Sequence, residues 1–204
     1  MRHEINQLTT ELNFTPVTFL EIGSRDGFDT KQIADYWNLN PKNCYIIEAH
    51  PDMYREICEA YPQFNTYHLA ASNVNGPVIF NAVTTDHSYN SIGTSSILDC
   101  TAYTLTTNKV QVNGITMFDF LNAVYLHAPD LVKIDVEGFT LQVLQGFGNK
   151  LKDVKALQVE TEKTAMWKDQ AIHDTVVAYM EEQGFTLQSK YDAWSNQYDC
   201  LFVR

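Results

Sequence analysis

The spacing of short apolar segments constrains the fold of this chain more than any other feature. Segments 17–22, 44–48 and 66–70 read as strands, and stretches with helical periodicity at 26–38 and about 51–61 separate them. The apolar residues of these strands are nearly continuous instead of alternating with polar ones. Strands of that kind are buried on both faces, as in a parallel sheet covered by helices on each side. The first third of the chain therefore predicts a β-α-β-α-β arrangement.

The same alternation resumes in the second half of the chain. We predict a helix at 116–126, a strand at 131–135, a helix at 139–147, a strand at 156–160 and a helix at 169–183. The sequence therefore indicates one continuous layered α/β fold on both sides of its central section.

The last two predicted strands are joined by a short turn instead of a helix. Segments 185–189 and 199–203 read as strands, and a polar turn at 191–198 separates them. Two strands so close in sequence pair most readily as an antiparallel hairpin. The predicted fold is therefore a doubly wound, mainly parallel sheet of seven strands with a C-terminal antiparallel hairpin.

The domain organisation follows from the length of 204 residues, which suits one domain. We predict an N-terminal helix within 1–15 and a single domain over 16–204. Residues 73–114 are rich in Asn, Thr, Ser and Gly, with short strand-like pieces at 78–83 and 109–112. We interpret 73–114 as a hairpin or irregular insertion, where substrate contacts are expected.

The charge balance bears on partners and location. The chain carries 14 Lys and Arg against 25 Asp and Glu, a net charge of -11, which repels nucleic-acid backbones and anionic lipid surfaces. No apolar run approaches the roughly 18 residues of a membrane span, and the polar N-terminus lacks the apolar core of a signal peptide. We therefore expect a cytoplasmic protein with neither a nucleic-acid nor a membrane partner. Nothing in the sequence indicates its oligomeric state.

The four cysteines are scattered and form no C-x-x-C pair. This spacing excludes zinc knuckles and thioredoxin-type redox motifs. Buried, reduced thiols are the simpler interpretation.

Carboxylates gather where the predicted strands end. Ligands of open α/β sheets lie beyond the carboxyl ends of the strands, near the point where the strand order reverses. Four of the five strand ends considered carry acidic residues, and the five segments are Glu21–Gly27, Glu48–His50, Ala70–Asn73, Asp135–Gly138 and Glu160–Glu162. Helix capping accounts for one or two such residues more readily than for four.

The first of these loops, E-I-G-S-R-D-G, resembles a dinucleotide-binding fingerprint with one difference. Arg25 stands where a second glycine would let the backbone approach a pyrophosphate, which disfavours a dinucleotide. Glu48 follows Gly27 by 21 residues, at the end of the next strand, where a carboxylate can accept hydrogen bonds from both ribose hydroxyls. This combination predicts an adenosine ligand without phosphates, for which S-adenosylmethionine is the obvious candidate.

Residues 131–146, L-V-K-I-D-V-E-G-F-T-L-Q-V-L-Q-G, resemble the signature of the FkbM family of S-adenosylmethionine-dependent methyltransferases. In that family a strand ending in K-I-D-V-E-G leads into a helix ending in V-L-x-G. Four further segments are similar to family motifs in the same order, namely 19–30, 45–51, 69–72 and 116–121, so the resemblance covers roughly residues 17–203. The chain departs from the usual pattern at Glu21, Arg25 and His50.

The resemblance implies a class I methyltransferase with a Rossmann-like fold and S-adenosylmethionine as its cofactor. It also implies a hydroxyl acceptor on a small polar molecule, a sugar or glycan, or a natural product. Together with the strand-end argument, it predicts that the cofactor is contacted by Glu21, Gly23, Ser24, Arg25, Asp26, Gly27, Glu48, Ala49, His50, Ala71, Ser72 and Asp135.

The candidate catalytic residues are Glu137, Asp135 and His87. The sulfonium methyl is already electrophilic, so the protein must mainly align the reactants and remove the proton of the hydroxyl. Asp135 and Glu137 flank the expected meeting point of donor and acceptor, and His87 lies in the polar insertion. Simpler roles remain open, because Glu137 would also suit the first turn of a helix and His87 an exposed loop.

Three alternatives remain open at the level of function. The leading hypothesis, a methyltransferase, needs no metal. In the first alternative, Asp135, Glu160 and Glu162 supply oxygen ligands to Mg²⁺, which acidifies the acceptor hydroxyl. The second alternative is a non-catalytic protein that binds S-adenosylmethionine. The third, an NAD-dependent dehydrogenase, is disfavoured by Arg25.

Overall fold

The computed structural model describes residues 3–84, 92–194 and 196–204. Within them the strands are β1 (Phe19–Ile22), β2 (Cys44–Glu48), β3 (Asn65–His68), β4 (Ala70–Ser72), β5 (Gly76–Val83), β6 (Thr107–Thr116), β7 (Leu131–Ile134), β8 (Ala156–Glu162), β9 (Thr186–Trp194) and β10 (Gln197–Val203). The α-helices are α1 (His3–Glu11), α2 (Phe28–Trp37), α3 (Pro51–Ala60), α4 (Met117–Ala123), α5 (Thr140–Gly146) and α6 (His173–Glu182). No helix in this part of the chain is long and apolar enough to cross a membrane.

Seven strands form the main sheet, in the order β3-β2-β1-β7-β8-β10-β9. Strands β1, β2, β3, β7 and β8 pair in parallel, and β10 is antiparallel to both β8 and β9. The predicted doubly wound, mainly parallel sheet with a C-terminal antiparallel hairpin is therefore confirmed. The chain moves outward from β1 to β3 and then returns to place β7 on the other side of β1. This reversal puts the expected ligand site between the ends of β1 and β7.

The C-terminal hairpin is longer than its sequence predicts. The polar turn expected at 191–198 is wrong, because β9 runs to Trp194 and β10 begins at Gln197. The strand β9 forms the sheet edge, where the exposed side chains can be polar without cost, and Tyr191 is one of those exposed. Polar composition therefore concealed a strand.

A second sheet of three strands, β4-β6-β5, extends from the edge of the central fold. The strand predicted at 66–70 divides between β3 in the main sheet and β4 in the second one. Strands β5 and β6 form the antiparallel hairpin that the sequence left as one alternative within 73–114. A small apolar core holds this sheet together, made of Ala70, Phe80, Ala82 and Val112.

Helices cover both faces of the main sheet, which explains its continuous apolar strands. Alternate residues of β1 point to opposite faces, so Phe19 packs in the core beneath α1, α2 and α3, and Leu20 in the core beneath α4, α5 and α6. Glu21 and Lys133 follow the parity of Phe19 and are buried charged residues in this layer. Both stand close to the strand ends at which the site lies.

Candidate active site

A cavity of about 840 Å³ opens at the carboxyl ends of β1, β2, β7 and β8. We call it the strand-end cavity. The loops that follow these four strands line it, together with residues 92–95, Ile97 and Tyr103, which lie outside the main sheet. Its position agrees with the switch point of the strand order, where open α/β sheets bind their ligands.

Two glycines allow the β1–α2 loop to turn tightly beside this cavity. Gly23 has φ +78°, and a Cβ added there would lie 1.8 Å from the carbonyl oxygen of Asp135. Gly27 has φ +72°, and a Cβ added there would lie 2.8 Å from Tyr61 Cδ2. Both positions therefore require glycine, and Gly23 brings the loop directly against the end of β7.

Arg25 adopts φ +62° between these glycines, a conformation that is uncommon for a residue with a side chain. Its backbone amide donates a hydrogen bond to Glu48 Oε2 at 2.8 Å. Its side chain packs against Gly93, where an added Cβ would lie 3.4 Å from Arg25 Cδ. Arg25 therefore links the glycine loop to Gly93, which also lines the cavity.

Glu48 ends β2 and lines the strand-end cavity while remaining only 6% exposed. Besides the Arg25 amide, it accepts a hydrogen bond at Oε1 from the amide of His50 at 2.7 Å. Burial raises the pKa of Glu48, and these two amide donors oppose that rise. A carboxylate oxygen has two lone-pair sites, so each can accept one further hydrogen bond from a ligand.

His50 lines the cavity, but contacts outside it engage both of its ring nitrogens. Nδ1 accepts a hydrogen bond from the Asp52 amide at 3.2 Å, which caps α3, and Nε2 lies 3.1 Å from the carbonyl oxygen of Val83. These contacts assign the ring proton to Nε2 and fix the ring as a connection between α3 and β5.

Of the residues predicted to contact the cofactor, Glu21, Gly27 and Ser72 do not line the cavity, whereas the other members of that set do. Glu21 is fully buried and accepts hydrogen bonds at Oε2 from the amide and hydroxyl of Thr30. Burial and the Asp29 charge raise the pKa of Glu21 to about 8, although Lys133 opposes this rise. Sequence reasoning placed Glu21 near the ligand because it stands close to a strand end, but it is in register with Lys133 inside the sheet, and its side chain is buried in the layer beneath.

Three carboxylates converge at the ends of β7 and β8. One carboxylate oxygen each from Asp135, Glu137 and Glu160 lies within 4.8 Å of the other two. We call these residues the acidic cluster. Parallel pairing creates it, because Ile134 is in register with Val159, so the residues that follow, Asp135 and Glu160, are neighbours.

Contacts distant in sequence hold the acidic cluster in place. Ser96 is buried, and its hydroxyl donates to the carbonyl oxygen of Glu137 at 2.7 Å, where Glu137 adopts φ +50°. Gln197 on β10 donates from Nε2 to Glu160 Oε1 at 2.9 Å. Lys133 Nζ lies 3.1 Å from Asp135 Oδ2 and 3.2 Å from Asp29 Oδ2.

The electrostatics of the cluster favour protonation or a bound cation. Burial raises the pKa values of Glu137 and Glu160 well above the usual range, and the neighbouring charge of Asp135 raises them further. Burial and Asp135 also raise the pKa of Glu162 to about 7. Burial alone would lower the pKa of Lys133, but Asp135, Asp29 and Glu21 together raise it well above its usual value. One buried ammonium is therefore shared among several carboxylates.

Sequence reasoning did not select several residues of this site. Ser96 lies within the insertion, Gln197 within the supposed turn, and Lys133 was passed over inside the K-I-D motif that the resemblance rested on. Burial and then the Glu137 charge raise the pKa of Tyr103, which lines the cavity, to about 12. The candidate base His87 lies outside the described residues.

Comparisons with known proteins agree with this arrangement. The model of the family described as "Methyltransferase FkbM domain" matches residues 21–187, while no curated protein matches the chain. The solved FkbM methyltransferase of Methylobacillus flagellatus is 11% identical with a TM-score of 0.59; the alignment covers 95% of this chain and 45% of that one. This chain therefore spans less than half of that relative's length.

Two further solved structures share the fold. TrmK of M. capricolum, in complex with S-adenosyl-homocysteine, is 8% identical with a TM-score of 0.57, covering 100% of this chain and 68% of that one. A putative tRNA (m1A22) methyltransferase of Streptococcus pneumoniae is 10% identical with a TM-score of 0.56, covering 100% and 70%. At these identities the likeness establishes the class I methyltransferase fold alone. The family match, which spans most of the chain, shows that it belongs to the FkbM family of S-adenosylmethionine-dependent methyltransferases.

Proposed function

We propose that this protein transfers the methyl group of S-adenosylmethionine to a hydroxyl of a small polar acceptor, of the sugar, glycan or natural-product class. The observation that carries the proposal is the acidic cluster on one side of the strand-end cavity, with the buried Glu48 carboxylate at the end of a neighbouring strand. The first arrangement suits removal of a hydroxyl proton, and the second suits a ribose.

Glu48 would bind the ribose of the donor. Its two oxygens are held by the Arg25 and His50 amides and can still accept hydrogen bonds from two neighbouring hydroxyls. Apolar side chains that line the cavity around β2, Ile47, Met53 and Phe80, suit the adenine ring. Asp135, beside the Gly23 turn, would hold the ammonium of the methionyl group.

The donor supplies an electrophilic methyl carbon bonded to a sulfonium. Glu137 would accept the proton of the acceptor hydroxyl as the oxygen forms its bond to that carbon, and the sulfur would leave with the electron pair of the broken C–S bond. The products are the methyl ether, S-adenosylhomocysteine and a protonated Glu137. The raised pKa of Glu137 gives it a higher proton affinity than an exposed carboxylate has, and it would serve as the base in its ionised form.

The acidity of the chain supports a neutral or cationic acceptor over a polyanion. The net charge of -11 and the acidic cluster would both repel phosphate groups. One protein of similar structure is described as a putative tRNA methyltransferase, but at 10% sequence identity this similarity supports a shared fold and not a shared acceptor. The proposal therefore excludes a nucleic acid as the acceptor.

Calorimetry with S-adenosylhomocysteine and NAD tests the donor, and a methyl-transfer screen of hydroxyl, amine and RNA acceptors tests the reaction. We expect binding of S-adenosylhomocysteine, no binding of NAD, and transfer to hydroxyl acceptors. Binding of NAD alone would overturn the proposal of the donor. Transfer to amine or RNA acceptors alone would overturn the proposal of the acceptor.

A further inference from the structure

We propose that Asp135, Glu137 and Glu160 bind one hard divalent cation of the Mg²⁺ class, beside the position at which the acceptor hydroxyl would lie. This inference rests on the proposed function and adds a metal ion to it: Asp135 would hold the ion in place of the methionyl ammonium, and Glu137 would bind the ion through one carboxylate oxygen and keep the other for the acceptor proton. The residues differ from the set that the sequence suggested, because Glu137 and not Glu162 completes the group of carboxylates that lie within 4.8 Å of one another.

The spacing of the three carboxylates suits such an ion. Their nearest oxygens all lie within 4.8 Å of one another. Ligands on opposite sides of Mg²⁺ are about 4.2 Å apart, since each metal–oxygen distance is near 2.1 Å, and the corresponding separation for Ca²⁺ is about 4.8 Å. Small side-chain rotations would therefore complete a coordination sphere, with water or the acceptor oxygen at the remaining positions.

A buried carboxylate next to the cluster provides a second, independent observation. Glu162 is 1% exposed, and its Oε1 has no hydrogen-bond partner. It lies two residues after Glu160 on the same strand, so both side chains project from the same face of β8. Burying a carboxylate oxygen without a partner is costly. A cation in the cluster would offset that cost, either directly or through a bound water.

The charges of the site also favour a cation. Four carboxylates, those of the acidic cluster and Glu162, lie close together at the ends of β7 and β8. Lys133 is engaged by both Asp135 and Asp29, so its charge is divided between the cluster and a residue outside it. A divalent ion would supply the missing positive charge at the point where the oxygens converge.

The chemistry of the ligands selects the ion. All three are carboxylates, which prefer hard cations, and neither histidine nor cysteine stands among them. Such an ion would lower the pKa of an acceptor hydroxyl bound to it, which makes the hydroxyl easier to deprotonate.

The test is a titration of the purified full chain with Mn²⁺ alone. Electron paramagnetic resonance measures the binding, because the signal of the free ion decreases as the ion binds. We expect one Mn²⁺ per chain with a dissociation constant below about 1 mM, displaced by Mg²⁺. Glu160→Gln should weaken binding at least tenfold, because even partners outside the metal ligands change affinity by about 10–100-fold. The matched control is Glu56→Gln, the same substitution on an exposed helix residue, which should bind as wild type does.

Absence of Mn²⁺ binding to the wild-type chain at millimolar concentration would overturn the proposal. So would a folded Glu160→Gln protein that binds Mn²⁺ as tightly as wild type. If Glu160→Gln does not fold, as judged by its thermal melt, Asp135→Asn replaces it with the same expectation.

Calorimetry with S-adenosylhomocysteine on the same wild-type sample separates this inference from the proposed function. Binding of S-adenosylhomocysteine without Mn²⁺ binding leaves the methyltransferase and removes the metal. Binding of Mn²⁺ without S-adenosylhomocysteine would remove the proposed donor and leave the cation site.

Discussion

The backbone amide of Arg25 donates to the Glu48 carboxylate at 2.8 Å, which joins the glycine loop after β1 to the end of β2. The residue that interrupts the dinucleotide-type fingerprint thereby orients the carboxylate proposed to bind the ribose. Its left-handed backbone, φ +62°, turns the amide toward Glu48 and the side chain toward Gly93.

Replacing Glu48 tests its proposed contact with the ribose. We expect Glu48→Ala to weaken S-adenosylhomocysteine binding at least tenfold, since hydrogen bonds to a charged group contribute about 1.5–3 kcal/mol each. Titration calorimetry measures the effect, and the thermal melt checks that the glycine loop survives the loss of its partner. Glu56→Gln serves as the control. An unchanged affinity in a folded Glu48→Ala protein would contradict the role.

Glu137→Gln separates a catalytic base from a structural carboxylate. The substitution keeps size and hydrogen bonding but removes the charge, so methyl transfer should fall by about 10²–10⁴-fold while cofactor affinity barely changes. Single-turnover rates at saturating cofactor measure this effect. A near-wild-type rate would exclude Glu137 as the base and direct attention to His87.

Glu21 should make the protein less stable as the pH rises. Its pKa is about 8 in the folded chain and near 4.5 in the unfolded one, so the folded state binds the extra proton between these values. The stabilisation is complete below about pH 4.5 and is lost as the pH rises toward 8, by at most about 1.4 kcal/mol per pH unit.

Urea denaturation of wild type and Glu21→Gln at several pH values isolates this contribution. The difference in unfolding free energy between the two proteins should change steadily from pH 4.5 to 8 in favour of Glu21→Gln. A difference that stays constant over this range would show that Glu21 does not titrate with a raised pKa.

Gly23→Ala should disrupt the junction of β1 and β7. The new Cβ would lie 1.8 Å from the Asp135 carbonyl oxygen, a clash that only backbone movement can relieve. Gly76→Ala is the matched control, because Gly76 also has positive φ, +119°, but no atom within 4 Å of its Cβ position. We expect Gly76→Ala to cost roughly 1–2 kcal/mol from backbone strain alone.

Thermal denaturation and S-adenosylhomocysteine binding compare the two variants. Gly23→Ala should lower the melting temperature further than Gly76→Ala and abolish cofactor binding, which Gly76→Ala should retain. Equal effects of the two substitutions would contradict the close approach of Gly23 to Asp135.

Local patterns in the sequence were sufficient to predict the main sheet and several cavity residues. Strand segments such as 44–48 carry apolar residues on both faces, and that property depends only on the residues themselves and on burial between two helical layers. Because the carboxyl ends of parallel strands share one edge, Glu48 and Asp135 could be placed at the cavity from their positions at strand ends. The prediction failed for the turn at 191–198, where an edge strand tolerates polar residues.

The direction of each side chain and the contacts distant in sequence depended on the tertiary structure. Glu21 stands one residue before the end of β1 and is in register with Ile46, two positions before Glu48, so its side chain stays in the buried layer, where Thr30 binds it. Gln197 reaches Glu160 only because β10 pairs with β8, and Ser96 reaches Glu137 across 41 positions of the chain. The sequence alone determined which strands end in carboxylates, because hydrophobic periodicity is local. The pairing register decided which of those carboxylates meet, because register results from packing the whole sheet at once.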